Sequence, residues 1–281
     1  MKISKLSLLL LIPLLSCVNT GDQGASNKSL ESEQKIAASK SVAFNTLVKG
    51  TGGPTVIFES GLGTPLNNWT NIQNSIAANY QTISYDRKGI GGSPAALKPR
   101  TLENLVSDLD SLISQNNIDG PIILVGHSLG GHIIRKYQEL FPSKIKGLFL
   151  IDPTNEYLYE EVFKAMSQSA ADSMKAAWDS SFKSGTTGVY AEWKEVYAND
   201  LLMRNCPLPT DIPITILASY QANSFLTAEN ARIKKEQFSA WQKDKPNVKI
   251  VNTSNSGHYI HLGEPEWVVQ QLEVFLQSLD S

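Results

Sequence analysis

From residue 42 onward, short runs of consecutive apolar positions alternate with longer stretches in which apolar residues recur every three or four positions. The short runs lie at 42–48, 55–59, 81–85, 122–125, 148–151, 214–218 and 248–252. Several are apolar at successive positions, the pattern of strands covered on both faces. The clearest of the longer stretches is TLENLVSDLDSLISQNN, where Leu102, Leu105, Val106, Leu109, Leu112 and Ile113 share one helical face. The last stretch repeats the pattern with Val268, Leu272, Phe275, Leu276 and Leu279, entered through Pro265, which suits a first helical turn. Strand and helix in alternation predict an α/β fold: a mostly parallel sheet with helices on both faces.

One interval breaks that rhythm. About sixty residues separate the run ending at Ile151 from the one beginning at Ile214, too many for a plain connection. They read as helices rich in aromatics (Tyr157, Tyr159, Phe163, Trp178, Phe182, Tyr190, Trp193 and Tyr197), broken by SGTTG at 184–188. This predicts a helical cap at about 155–210 over the C-terminal edge of the sheet. The plainer role for each aromatic taken singly is to pack one helix on another.

The first 41 residues have a different character. Residues 1–16 carry Lys2 and Lys5 followed by LSLLLLIPLL, an apolar stretch too short to span a bilayer, and read as a signal peptide. It ends in Leu14-Leu15-Ser16-Cys17, which resembles the bacterial lipobox. That resemblance implies a lipid on Cys17 and a chain anchored to a membrane of the bacterial cell envelope. Secretion, or a free periplasmic protein, is the alternative. Residues 17–41 are polar and small and read as a tether, leaving 42–281 as one domain. The net charge of −2 offers nothing to a nucleic acid, which turns attention to small-molecule and lipid-like partners. With Cys17 lipidated, Cys206 has no cysteine to pair with, so neither a disulfide scaffold nor a cysteine-built zinc site is expected.

Candidate chemistry begins at Gly126-His127-Ser128-Leu129-Gly130, between a buried strand and the helical HIIRKYQEL. A strand that turns sharply into a helix strains the residue at the bend and leaves no room for flanking side chains. The pattern G-x-S-x-G therefore presents the Ser128 hydroxyl at the sheet edge, above a helix N-terminus able to stabilise negative charge. A serine nucleophile needs a base. Of four histidines, His127 and His132 lie on or just beyond the elbow, facing away from the hydroxyl. His258, on the loop after the last strand, can reach back over the sheet edge. His261 is expected at solvent or at a helix end. For the acid that orients the imidazole, Asp152 follows the strand next after the nucleophile, with Glu229 as the alternative. An Asp before Pro153 also has an ordinary turn-shaping role. In FESGLGTPLNNW the glycines at 61 and 63 let backbone amides turn inward, so the N–H groups of Leu62 and Leu129 are the expected oxyanion hole. YDRKGIGGS reads as structural, a buried Asp86–Arg87 ion pair and tight turns that support the catalytic loops.

In this order, the GLG loop, YDRKGIGGS, VGHSLGG, LFLIDPT, the helical insertion and SGHYIHLGEPEW, the chain from residue 42 onward resembles the α/β-hydrolase superfamily. The resemblance implies an eight-stranded, mostly parallel sheet with a cap after the sixth strand. It also implies acyl transfer through Ser128, His258 and Asp152 with no metal or organic cofactor. Two features depart from the family pattern: no acid follows the penultimate strand, and Ser60-Gly61 stands where His-Gly is common. The leading expectation is a carboxylester hydrolase acting on a small ester or lipid-like substrate. An aminopeptidase-like amide hydrolase, with Glu156, Glu160 and Glu161 receiving a substrate amine, is the alternative enzyme. A surface binding protein that kept the fold without the activity is the alternative outside enzymes.

Overall fold

The apolar runs form seven strands among the described residues: β1 (Thr46–Lys49), β2 (Thr55–Glu59), β3 (Thr82–Tyr85), β4 (Ile122–His127), β5 (Ile145–Ile151), β6 (Ile214–Ser219) and β7 (Val248–Thr253). They build one sheet in the order β1-β3-β2-β4-β5-β6-β7, with β1 antiparallel to β3 and every other pair parallel. The computed structural model describes residues 43–223 and 227–279. The signal peptide, Cys17 and the tether lie outside them.

The implied eighth strand is absent from the described residues. A single strand precedes β2, and the chain then turns directly into β2 through Gly50, Gly52 and Gly53, all at positive φ. The helical insertion accordingly follows the fifth strand, not the sixth.

Alternation along the buried strands sends side chains to two separate cores. Ile57, Ile83, Leu124, Leu148, Leu150 and Ile216 point to one face, covered by α2 (Leu102–Gln115), α3 (Leu129–Leu140) and α8 (Ala228–Gln242). Val56, Phe58, Ile123, Val125, Phe149, Ile151 and Leu217 point to the other, covered by α1 (Thr70–Ile76) and α10 (Pro265–Ser278). Fully burying a side chain of this size stabilises the fold by about 1.5–3 kcal/mol, so the two-faced runs carry much of the stability. Capping follows the sequence: Thr101 accepts from Asn104 N at the start of α2, and Pro265 opens α10.

The insertion holds four helices, α4 (Leu158–Lys164), α5 (Gln168–Lys183), α6 (Thr187–Trp193) and α7 (Val196–Met203). Its aromatics pack largely on one another: Phe182 stacks on Trp193 at 4.4 Å, and Trp178 meets Tyr159 at 5.5 Å and Phe163 at 5.8 Å. Packing is the plainer of the two roles open to them, and the short helix α9 (Ile260–Gly263) completes the fold.

Register decides which residues meet. His127 pairs with Ile151, and Ser219 with Thr253, so the chain leaves β4, β5, β6 and β7 along one edge. Ser128, Asp152, Tyr220 and the loop carrying His258 therefore share that edge.

Candidate active site

Ser128 sits at φ 51°, ψ −120°, a conformation that costs a non-glycine residue about 1–3 kcal/mol. The surroundings enforce it. A Cβ on Gly126 would lie 2.8 Å from the Gly130 carbonyl oxygen, and one on Gly130 would collide with the Glu59 backbone carbonyl. The bend is pinned by Ser128 N–H to the Ile151 carbonyl at 3.2 Å, and the Ser128 carbonyl accepts from Gly131 N–H and Thr154 N–H. Ser128 itself is half-buried at the N-terminus of α3.

One strand over, Asp152 is buried and also at positive φ, 41°. Its Oδ2 accepts from His258 Nδ1 at 2.7 Å, which fixes the imidazole proton on Nδ1 and leaves Nε2 as the basic nitrogen. Its Oδ1 accepts from Ser219 N–H at 2.8 Å and from the Lys234 ammonium at 2.6 Å. Burial alone would push this carboxyl up, but the Lys234 charge and the His258 hydrogen bond outweigh it and hold Asp152 below the usual range. His258 remains substantially exposed, at 45%. Glu229, the alternative acid, lies on the solvent face of α8 and is paired with Arg232, away from His258.

On the far side of the elbow, Ser60–Gly63 is braced by Arg87. Its guanidinium donates to the Ser60 and Gly61 carbonyls at 2.6 and 2.7 Å, to Glu59 at 2.8 Å, and through two nitrogens to Glu192 at 2.7 Å each. Glu192 comes from α6 of the insertion, and its other contact is the Gly63 amide at 2.8 Å. Gly63 needs its left-handed φ of 65°, and a Cβ there would lie 2.9 Å from Val189, also on α6. Tyr85 donates to Glu59 from below. Burial pushes the Glu59 carboxyl up against the lowering pull of Arg87, and pushes the Tyr85 hydroxyl well above its ordinary range. Neither Leu62 N–H nor Leu129 N–H is committed to a hydrogen bond among the described residues.

Three expectations need correction. Asp86 and Arg87 are both buried but do not pair. Asp86 accepts from the Leu66 and Gly92 amides and from Asn45, while Arg87 turns to the two glutamates. Adjacent residues after a strand point to opposite sides, so each finds its own partners. His261 does lie at a helix end, in the short α9, but not at solvent: it is buried and stacked on Trp69 at 4.7 Å, because α9 folds under the loop. Burial first, and then the neighbouring His258 ring, lower it to about 3. His127 does not face away from the site either, since its ring lies 4.6 Å from that of His258 and its Nε2 donates to the His258 carbonyl at 3.0 Å. Burial first, then His261 and His258, hold it well below the usual histidine range, so it supports the loop as a neutral donor. His132 pairs with Asp200 of α7 at 2.9 Å, which ties the insertion to the elbow helix as well as to the Gly63 loop.

Lys234, Glu59 and Glu192 were not singled out by sequence, and each left a trace there. Asn230, Ile233, Lys234, Phe238 and Trp241 form the buried stripe of α8, so a lysine stands on a face that is otherwise largely apolar. Glu59 ends the fully buried run TVIFE, and a carboxylate in such a run needs a partner. Glu192 left the faintest trace, one acid in a charged helix.

The sequence model of the alpha/beta hydrolase fold family matches residues 54–174. The Bacillus subtilis (strain 168) protein YqjL is 26% identical over 78% of this chain and 82% of its own length. A putative esterase/lipase of Haemophilus influenzae is 22% identical over 84% of this chain and 87% of its own. Among solved structures, a thermophilic esterase from Thermogutta terrifontis superposes with a TM-score of 0.60 at 19% identity, covering 85% of this chain and 94% of that one. With its parallel sheet, strained serine turn and helical insertion, the chain has the fold of the α/β-hydrolase superfamily.

Proposed function

We propose that the chain is a serine hydrolase that cleaves carboxylic esters, with Ser128 as nucleophile, His258 as general base and Asp152 as the orienting acid. The observation that carries this reading is the His258 Nδ1 to Asp152 Oδ2 hydrogen bond at 2.7 Å, which leaves Nε2 basic on the sheet edge that also carries the strained serine turn. His258 takes the Ser128 proton as the alkoxide attacks the ester carbonyl, and the oxyanion rests on the uncommitted amides of Leu62 and Leu129. His258⁺ then gives that proton to the departing alcohol. Water, deprotonated by the same nitrogen, attacks the acyl-serine, releases the acid and returns the proton to Ser128.

Esters are favoured over amides bearing a free amine because the candidate acceptor carboxylates are already occupied. Glu156 pairs with Arg135 at 2.8 Å and receives Trp241 Nε1, Glu160 holds Arg204 and Lys164, and Glu161 holds Lys164. At the N-terminus, the motif at Ser16-Cys17 supports lipid anchoring in the cell envelope. Labelling with a fatty-acid analogue, lost on Cys17→Ala, is the check on that part.

The test of the hydrolase is turnover of p-nitrophenyl esters of graded acyl length by residues 42–281 and by Ser128→Ala. Activity lost in the variant is expected, while equal rates in both would remove Ser128 from the mechanism.

A further inference from the structure

The Asp152 carboxylate has two claimants. His258 holds Oδ2, and Lys234, reaching up from the buried stripe of α8, holds Oδ1 at 2.6 Å and the Ser219 carbonyl at 2.9 Å. Lys234 is 5% exposed and its ammonium lies against the rings of Tyr220 and Phe238, at 5.7 and 5.6 Å. Removing a lysine charge from water is costly unless it is paired, and an apolar residue of similar length would fill the same channel. Ser219 N–H already satisfies Oδ1, so holding the carboxylate in place does not by itself require a cation.

We infer that Lys234 is a positioning residue which shares the Asp152 carboxylate with His258 and thereby sets the pH at which His258 takes up its proton. This rests on the triad reading above. An aspartate stabilises the imidazolium through its negative charge, and a permanent cation on its other oxygen cancels part of that stabilisation. Removing the Lys234 charge is therefore expected to let Asp152 hold a proton on the His258 ring more tightly. The other groups facing His258 are few. His127 and His261 are held neutral by burial, with His258 lowering both further, and the Tyr259 ring lies 5.4 Å away. Facing Lys234 are Asp152 and Tyr220, the latter pushed up to about 12 by burial and so uncharged. Asp152 is thus the anion that Lys234 and the His258 ring share.

The experiment is an NMR titration of the His258 Cε1–H in the folded domain, assigned by its loss in His258→Ala. It needs no substrate. In Lys234→Met the midpoint is expected to rise by about one pH unit, while Lys234→Arg keeps the wild-type midpoint. If the methionine variant does not fold, Lys234→Gln retains a donor for Oδ1, removes the charge and carries the same expectation. A midpoint unchanged by loss of the charge would overturn the inference and leave Lys234 a purely structural ion pair. Failure of the hydrolase reading would show separately, as no Ser128-dependent ester turnover in the wild type. Where turnover is present, the acid limb of kcat/KM moves upward with the NMR midpoint in Lys234→Met, and a drop in kcat with no movement of that limb counts against the inference.

Discussion

Two charged clusters flank Ser128, and they differ in their access to water. Around Arg87, every charged side chain is sealed: Arg87 is 1% exposed, and Glu59 and Glu192 not at all. Around Asp152, the acid and Lys234 are buried, but His258 opens to solvent. A sealed cluster cannot exchange protons on the time of a reaction, so its work is geometric, fixing the loop that carries Leu62. A cluster with one wet member can move protons. In the proposed acyl transfer, charge would develop against the rigid half while the proton travels through the titratable one.

Substitution on the titratable side carries the largest expected effect. Asp152→Asn should lower kcat on a reactive ester by about 10⁴-fold, because the amide reverses the imidazole tautomer, and steady-state kinetics against wild type measures it. On the sealed side the larger loss is in stability. Arg87→Met leaves two buried carboxylates without a cation and should cost about 3–5 kcal/mol in urea unfolding. Glu192→Gln keeps an acceptor for Gly63 N–H and should cost less, about 1–3 kcal/mol by the same measurement.

Acid separates the two halves further. His127 and His261 are held neutral in the fold but protonate freely when unfolded, so below about pH 6.5 the unfolded chain binds more protons. The stability tied to these rings is complete above that pH and is lost as pH falls toward about 3, where His261 itself titrates. Each ring contributes up to about 1.4 kcal/mol per pH unit across that window. His261→Phe, which keeps a stack on Trp69, should flatten the fall in Tm between pH 6 and pH 4. The smallest effect belongs to Glu229→Ala, which should leave both turnover and Tm where they are. A loss of turnover there would return the acid role to Glu229.

How much of this was legible in the sequence follows from what each feature depends on. The sheet was readable because β2, β4 and β6 are buried at every position, and short uninterrupted apolar runs suit strands covered on both faces. The strained turn at Ser128 was readable because G-x-S-x-G between a strand and a helix constrains the residues at the bend. The partners of Arg87 were not, since they come from positions 59 and 192, and a guanidinium chooses partners by three-dimensional reach. Burial of His261 was missed for a related reason: four residues of helix after Tyr259 turn it under the loop, and so short a segment has no period to detect.

The contact between Glu192 and the Gly63 amide also bears on how this protein could be re-engineered. Insertions of this kind invite exchange between relatives as a route to new substrate ranges. Here the insertion is not an independent module, because α6 supplies one of the two carboxylates that neutralise Arg87 and the acceptor that sets the Gly63 peptide. A transplanted insertion would have to bring its own carboxylate to that point, or the recipient would need Arg87 replaced at the same time.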